Sequence, residues 1–270
     1  FIGRQEEFRA LHSALERAKS GQGSIIGVRG APGVGKSRLF HEFKLTAASG
    51  CLVLETFSVS HGKAYAYLPL IELLKNYFHI AVQDNERKRR EKITGKVLTL
   101  DRGLEDTLPY LFALLGVSEP NSPLRQLDRQ IRRRRTFGSI TRLLVRESQN
   151  QPLILICEDL HWLDSETQAF LISQTEQIAT TKILLLVNYR PEYQHEWTGK
   201  PYFTSLHLEP LGQKEAAELF ATLLGLQAQA EPDPSLHQLE QQILKKTQGN
   251  PLFMEEIVLA LFEEEILERD

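Results

Sequence analysis

The stretch "GAPGVGKS", residues 30–37, decides how this chain folds. It fits the pattern G-x-x-x-x-G-K-[ST] at Gly30, Gly35, Lys36 and Ser37. Glycines let backbone N–H groups curl around phosphate oxygens, and a helix that follows points its positive N-terminus at the anion. The lysine can reach the β- and γ-phosphates of a nucleotide, and the serine hydroxyl can bind Mg²⁺. The alternative is a strand-to-helix turn that contains glycines by chance.

The sequence on either side of the loop favours the phosphate-binding interpretation. "SIIGVRG" (24–30) is a short apolar run that ends at glycine, which predicts a buried strand. "KSRLFHEFKLTAAS" (36–49) has helical spacing, and "CLVLETF" (51–57) predicts a second strand. The order strand, glycine loop, helix, strand is a βαβ unit and implies a parallel sheet. A helix over residues 6–21 is predicted to precede this unit.

The rest of the chain predicts a larger α/β domain followed by helices. Residues 68–150 contain several stretches with helix-spaced apolar residues and are interpreted as a helical insertion. Three further strands are predicted: "PLILIC" (152–157), "KILLLVN" (182–188) and "SLHLEPL" (205–211). A helix over 165–178, with Ser165 as its cap, lies between the first two of them. We therefore expect an α/β domain over 1–210 and a helical lid over 211–270, with a surface loop at "AEPDP" (230–234).

Two adjacent acids follow the third predicted strand. "LILICED" (153–159) is an apolar run that ends with Glu158 and Asp159. A phosphate-binding loop needs an acid at the tip of a neighbouring strand to hold hydrated Mg²⁺, and a second group to orient the attacking water. Either acid could take either role. The alternative is a pair of solvated acids at a strand end.

Polar side chains also follow the fourth predicted strand. "LLLVNYRPEY" (184–193) places Asn188 and Arg190 at its end. These groups would lie beside the γ-phosphate if this strand is next to the strand of the glycine loop. The alternative is an exposed loop arginine.

Composition and charge do not point to a nucleic acid or a membrane as partner. The chain has 270 residues, 32 basic and 35 acidic side chains and a net charge of -3. The arginine run at 131–135 and the basic run at 86–92 are interpreted as solvated helix sides. For the first run, one apolar helix face is expected to comprise Ile131, Phe137, Ile140 and Leu144. His161 follows the acids without ligand-spaced partners, so no metal role is expected for it.

The two cysteines, Cys51 and Cys157, do not make a disulfide scaffold, and a reducing cytoplasm is the expected location. No apolar run approaches the length of a membrane span, and no signal peptide is evident. The chain opens without an initiator Met and closes inside a helical pattern. It is expected to be a segment of a longer polypeptide.

Six phrases occur in order along the chain: "FIGRQEE", "GAPGVGKS", "LILICEDLHWLD", "LLLVNYRPEY", "LHLEPL" and "QGNPLFMEEI". This set resembles the signal-transduction P-loop ATPases of the STAND class, which are close to AAA-type ATPases. More narrowly, the chain is similar to the ATPase module found beside class III adenylate or guanylate cyclase domains in large bacterial proteins. The phrases "AYLPLIELL" and "PYFTSLHLEPL" fit that group, and related modules occur in transcription regulators and Ser/Thr kinases. The resemblance covers nearly all of the chain.

The resemblance implies where a nucleotide base would lie. Residues 1–4, with Ile2, Gly3 and Arg4 among them, would line the adenine side. Gly249 and Pro251 match a helical-lid motif whose proline packs on the base. Contacts from the loop and the helical turn after it are expected from Gly30, Pro32, Gly33, Val34, Gly35, Lys36, Ser37 and Arg38.

The resemblance also implies separate roles for the polar residues at the strand ends. Glu158 matches the metal-associated acid, Asp159 matches the acid that activates water, and Arg190 matches a sensor of the γ-phosphate. Many P-loop ATPases have Asp where this chain has Glu158. The longer side chain makes the metal role and the hydrolysis rate open questions.

The function expected from these features is a regulatory switch that binds Mg-ATP and hydrolyses it slowly. Its implied partners are ATP or ADP and a covalently linked output domain outside this segment, and a homo-oligomer is left open. Nucleic acid and membrane are not expected partners. Two alternatives remain: a nucleotide-binding scaffold without turnover, and a nucleic-acid-handling AAA-type ATPase. A nucleoside kinase is disfavoured, since no second acceptor pocket or Arg-rich lid is evident.

Overall fold

The fold is built on one five-stranded parallel sheet. In the computed structural model, residues 2–58, 65–120, 122–225 and 234–267 are described, so the expectations for Phe1 and for most of the 230–234 loop lie outside the described residues. The strand order is β2-β3-β4-β1-β5. The strands are β1 (Ser24–Gly30), β2 (Leu52–Phe57), β3 (Leu153–Glu158), β4 (Ile183–Tyr189) and β5 (Phe203–Leu208).

Helices cover both faces of the sheet. On one face, α1 (Gln5–Lys19) and α2 (Lys36–Ala47) pack a core that includes the buried Leu11, Phe40 and Phe43. The other face packs against α7 (Ser165–Ile178) and the helices of the 68–150 segment. Those helices are α3 (Leu68–Tyr77), α4 (Glu86–Leu100), α5 (Leu108–Leu114) and α6 (Arg129–Asn150). The expected three-layer α/β arrangement with a helical insertion is therefore present.

The central strands are apolar because both of their faces are covered. Every residue of β3 and of β4 is buried, as expected for a parallel sheet between two helical layers. β4 pairs with β1, and Asn188 lies opposite Val28 in the register. The prediction for Asn188 and Arg190 required β4 to lie next to the strand of the glycine loop, and this adjacency is confirmed. β3, however, pairs with β4 and not with β1, so its acids lie two strands from the loop and not on a neighbouring strand.

Three local expectations are corrected. β5 starts at Phe203 and stops at Leu208, and Pro210 could not have donated a ladder hydrogen bond further on. The cap of α7 is Asp164, whose carboxylate accepts from the backbone N–H groups two and three residues later, and Ser165 is the first helical residue. Ile131 is 47% exposed, whereas Phe137, Ile140 and Leu144 are buried. The first turns of α6 extend beyond the core that its later turns enter.

The chain after β5 forms three helices with a small core of their own. They are α8 (Gln213–Leu223), α9 (Pro234–Thr247) and α10 (Pro251–Glu263). Ala216, Phe220, Ile243, Met254 and Val258 are the buried members of this core. The N–H of Leu211 donates to the carbonyl of Gly249 at 2.8 Å, which joins the start of this segment to the turn before α10. In the described part of the chain, no helix is long and apolar enough to cross a membrane.

Gly249 is required by the backbone at this junction. Its φ is +77°, and a Cβ atom there would lie 2.2 Å from the carbonyl oxygen of Leu211. Gly225 has a similar φ of +72°, but no atom of the described residues lies within 4 Å of a Cβ there. We expect Gly225→Ala to lower the free energy of unfolding by about 1 kcal/mol, the cost of a left-handed alanine. Gly249→Ala should cost at least about twice that, because it adds a backbone clash.

Urea unfolding of both variants measures the difference. Equal losses for the two substitutions would show that the Leu211–Gly249 junction relaxes freely and does not fix the start of α10.

Candidate nucleotide-binding site

The glycine loop lies at the carboxyl end of β1 and leads directly into α2. Gly33 and Gly35 have φ of +80° and +94°, which side chains rarely adopt. Gly35 is the N-cap of α2, and helical geometry begins at Lys36. The positive end of the α2 dipole therefore faces the space inside the loop, as anion binding requires.

Lys36 is buried, and its ammonium group is held by the loop itself. Only 8% of the residue is exposed. Its Nζ donates to the carbonyl oxygens of Gly30 and Ala31, each at 2.9 Å. Burial lowers the pKa of Lys36, although the nearby carboxylate of Asp159 opposes this shift. A buried cation that bonds only to neutral carbonyls favours an anion beside it.

Glu158 is the buried acid of the site. It is 4% exposed and ends β3. Asn188 Nδ2 donates to Glu158 Oε2 at 2.7 Å. Burial raises the pKa of Glu158, and the Ser37 hydroxyl and the Asn188 amide counteract only part of that shift. The serine and the carboxylate expected to hold Mg²⁺ thus lie near each other.

Asn188 joins the two acids. The residue is completely buried. While its Nδ2 bonds to Glu158, its Oδ1 accepts from the backbone N–H of Asp159 at 2.7 Å. Asp159 has a left-handed φ of 57°, which turns its side chain away from the strand, and that side chain is 44% exposed. Asn188, predicted beside the γ-phosphate, therefore positions Glu158 and the backbone of Asp159 through its amide atoms.

Arg190 and His161 border the more exposed acid. The guanidinium carbon of Arg190 lies 5.8 Å from the centre of the Trp162 ring. His161 Nδ1 is 3.9 Å from Asp159 Oδ1, which is too long for a hydrogen bond. Both ring nitrogens of His161 are buried without a hydrogen-bond partner among the described residues, and burial lowers the pKa of the ring. No sequence pattern predicted that the ring nitrogens of a histidine would be buried here.

The N-terminal segment reaches the back of the loop. Arg4 Nη2 donates to the carbonyl oxygens of Val34 and Glu209, which links the segment to the loop and to the end of β5. Gly3 lies against Leu211, at the start of the helical segment. Gly3 and Arg4 are therefore placed between the loop and the lid. Arg38 points elsewhere, since its Nε pairs with Glu42 at 2.6 Å.

The start of α10 touches the loop through a contact that the sequence did not predict. Asn250 is the N-cap of α10, and its Oδ1 accepts from the N–H of Leu252. The same side chain donates through Nδ2 to the carbonyl of Pro32 at 2.9 Å. The N–H of Leu252 also lies 3.3 Å from the carbonyl of Gly33. Pro251, at the first turn of α10, is thereby held next to the loop.

Comparison with known proteins agrees with this geometry. Residues 1–187 match the AAA ATPase domain family. An uncharacterized protein of Rhizobium meliloti (strain 1021) is 25% identical over 263 residues, covering 95% of this chain and 24% of its own length. The chain thus spans about a quarter of that curated relative.

Two solved structures align with most of this chain. Cdc6p from Pyrobaculum aerophilum aligns with a TM-score of 0.53 at 13% identity, over 97% of this chain and 62% of its own. A Signal Transduction ATPase with Numerous Domains (STAND) protein with a tetratricopeptide repeat sensor, from Pyrococcus horikoshii, aligns with a TM-score of 0.46 at 16% identity. That alignment covers 99% of this chain and 33% of the other.

The parallel sheet, the glycine loop and the acids across from it define a P-loop α/β fold of the nucleotide-binding type. Within that class, the match over most of the chain identifies the family: the chain belongs to the AAA ATPase domain family.

The raised pKa of Glu158 has a measurable consequence for stability. A carboxyl group whose pKa is higher in the folded state stabilises the fold fully only below its unfolded pKa, near 4.3, and that contribution is lost as pH rises through the folded value. At pH 7 to 8 the buried charge therefore destabilises the protein by about 1.4 kcal/mol for each unit of pKa elevation. Glu158→Gln should raise the free energy of unfolding at pH 8, measured without nucleotide or Mg²⁺.

The gain from Glu158→Gln should shrink as the pH is lowered toward 4. Glu256→Gln, on the exposed side of α10, is the matched control and should change little at either pH. A Glu158→Gln variant that is less stable than the parent at pH 8 would contradict the burial argument.

Proposed function

We propose that this chain binds Mg-ATP in the loop of residues 30–37 and hydrolyses it slowly, as a switch within a larger signalling protein. The observation that carries the proposal is the pair of buried, opposite charges: the Lys36 ammonium in the loop and the Glu158 carboxylate, which accepts a hydrogen bond from Asn188 and lies near Ser37. Burying both charges costs free energy unless a ligand of opposite charge lies beside each of them. A triphosphate would lie beside Lys36, and a divalent cation would lie beside Glu158.

The chain's own residues would divide the work as follows. Lys36 would exchange the carbonyls of Gly30 and Ala31 for phosphate oxygens, and the backbone N–H groups of the loop would bind the remaining ones. Ser37 and Glu158 would hold the metal, directly or through its water. The bound Mg²⁺ would neutralise charge on the phosphates. Asp159, being the more exposed acid, would orient the attacking water.

Other predicted residues would act around this centre. Arg190 would respond to the γ-phosphate, since it lies close enough to influence the pKa of Lys36. Ile2, Gly3, Arg4 and Pro251 would border the adenine.

The switch proposal rests on the lid over residues 211–270. Asn250 and Leu252 bond to carbonyls of Pro32 and Gly33, so the lid contacts the loop that would hold the phosphates. A ligand shifts the lid only if it prefers one lid position over another. The output domain would lie elsewhere in the longer protein, consistent with a relative about four times as long as this match. The cyclase or transcription-regulator context is proposed from the sequence resemblance, and a cytoplasmic location from the two free cysteines.

Binding is tested by thermal unfolding with and without Mg-ATP. A ligand at one hundred times its dissociation constant should stabilise the fold by about 2.7 kcal/mol. Lys36→Ala should abolish most of that gain, because it removes the cation that the phosphates would complete. Lys75→Ala, an exposed lysine of α3 that pairs with Glu72, is the control and should keep it. A parent chain that unfolds at the same temperature with millimolar Mg-ATP would refute the proposal.

Turnover is tested by substituting the two acids one at a time. Asp159→Asn should keep ATP-dependent stabilisation but lower the rate of phosphate release by at least about a hundredfold, as expected for loss of a positioned base. Glu158→Gln should instead raise the Mg²⁺ concentration needed for half-maximal rate. Exchanged phenotypes would show that the acids have each other's roles. Parental rates in both variants would refute the assignment, and a parent that binds without turnover would make the module a scaffold.

A further inference from the structure

His161 is a buried polar residue to which the proposed reaction assigns no role. Its side chain is 11% exposed, and both ring nitrogens are buried without a hydrogen-bond partner among the described residues. A neutral imidazole has one donor and one acceptor, and burying either of them unpaired costs free energy. A leucine would fill a similar volume without that cost. A partner that the ring meets when the site is occupied therefore explains the histidine better than packing does.

Asp159, the acid proposed to orient the attacking water, has a fixed backbone but a side chain that nothing holds. Its N–H donates to Asn188 Oδ1, and its carbonyl accepts from the N–H of Trp162 at 2.8 Å, which closes one 3₁₀ turn over Leu160–Trp162. The side chain is 44% exposed, and no described residue donates a hydrogen bond to its carboxylate. A catalytic group has to be held close to its productive geometry, so this carboxylate lacks a partner.

His161 is placed to hold the Asp159 carboxylate. The distance from His161 Nδ1 to Asp159 Oδ1 is 3.9 Å, about 1 Å longer than an N–H···O hydrogen bond. Rotation of the exposed Asp159 side chain can close this gap while the backbone stays in place. The bond formed would have an ionised acceptor, which makes it stronger than a neutral one. Burial lowers the pKa of His161, in agreement with a neutral ring that has a single donor.

The second ring nitrogen also has a donor in its surroundings. Once Nδ1 donates, Nε2 is the acceptor of the ring. Among the cations, Arg190 has the strongest influence on the pKa of His161, ahead of Lys36. His161 thus has the water-orienting acid on one hand and the proposed sensor of the γ-phosphate on the other.

We propose that His161 is a positioning residue: with nucleotide bound, its Nδ1–H donates to the Asp159 carboxylate and orients that carboxylate toward the attacking water. The inference rests on the proposed function, because it gives a partner to an acid of the same site. A role for His161 as the base itself is disfavoured, since a base has to reach the attacking water and both nitrogens of this ring are buried. His161 acts on the rate through Asp159.

Phosphate release and thermal unfolding with Mg-ATP test the role of the ring. His161→Leu should lower kcat at least about tenfold through a misplaced carboxylate, while KM stays within about twofold and the Mg-ATP-dependent rise in Tm is kept. His161→Asn should keep most of the parental kcat, because its amide nitrogen lies near the position of Nδ1. His161→Gln extends its amide to the position of Nε2 instead, so it should be as slow as His161→Leu.

A double variant tests whether His161 acts through Asp159. In the Asp159→Asn background, His161→Leu should lower kcat by no more than about twofold, because residues that act as a unit are not additive. His207→Leu, at an exposed histidine of β5, is the matched control and should keep the parental kcat. The proposal is overturned by a parental kcat in His161→Leu, by an equal loss in His161→Asn, or by the full additional loss in the double variant.

Nitrogen NMR of the parent labelled with ¹⁵N-histidine tests the contact without turnover. With Mg²⁺ and a non-hydrolysable ATP analogue, the His161 ring should be neutral and protonated on Nδ1, and its resonance should shift in Asp159→Asn. The signal is assigned by its loss in His161→Asn. A ring protonated on Nε2, or a resonance that ignores Asp159→Asn, overturns the proposal even if His161→Leu does not fold. Failure of the proposed function differs: the parent itself then shows neither stabilisation by Mg-ATP nor phosphate release, and this inference falls with it.

Discussion

The buried ammonium of Lys36 is the constraint on which the arrangement of the site depends. It sits at the start of α2, and among the described residues its hydrogen bonds go to the carbonyls of Gly30 and Ala31. Those carbonyls face inward because the chain turns sharply between β1 and α2 through glycines. β1 in turn is fixed because β4 and β5 pair with it on both sides. The apolar sheet thus holds a charged group in a position that its own hydration would not favour.

Across from the loop, Glu158 is also a buried charged group, and its charge is opposite to that of Lys36. Burial raises the pKa of Glu158 and lowers that of Lys36, so each group is shifted toward its neutral form. Asn188 limits the shift of Glu158 and at the same time sets the backbone of Asp159. Each of these two groups destabilises the fold when it is charged and alone, and each is well placed to bind a ligand of opposite charge. The packing of the covered sheet compensates for the lost stability, as is common at functional sites.

Local sequence patterns predicted the elements but not their neighbours. The βαβ unit and the order of strands and helices follow from periodicity, and they agree with the structure. The position of β3 two strands from β1 depends on long-range pairing, which no local pattern encodes. Asn188 accepts one hydrogen bond and donates another, and Asn250 contacts Pro32. These hydrogen bonds form only when distant segments meet. Ile131 fits the helical spacing of the apolar residues in α6, but it lies beyond the core into which the others pack.

A crystal structure with Mg²⁺ and a non-hydrolysable ATP analogue tests most directly whether Lys36 and Glu158 bind the phosphates and the metal. We expect Lys36 Nζ to leave the carbonyls of Gly30 and Ala31 and to lie within hydrogen-bond distance of the β- and γ-phosphates. We also expect Ser37 and Glu158 to share the metal. A nucleotide bound away from the loop, or a Lys36 still held by the two carbonyls beside a bound triphosphate, would contradict it.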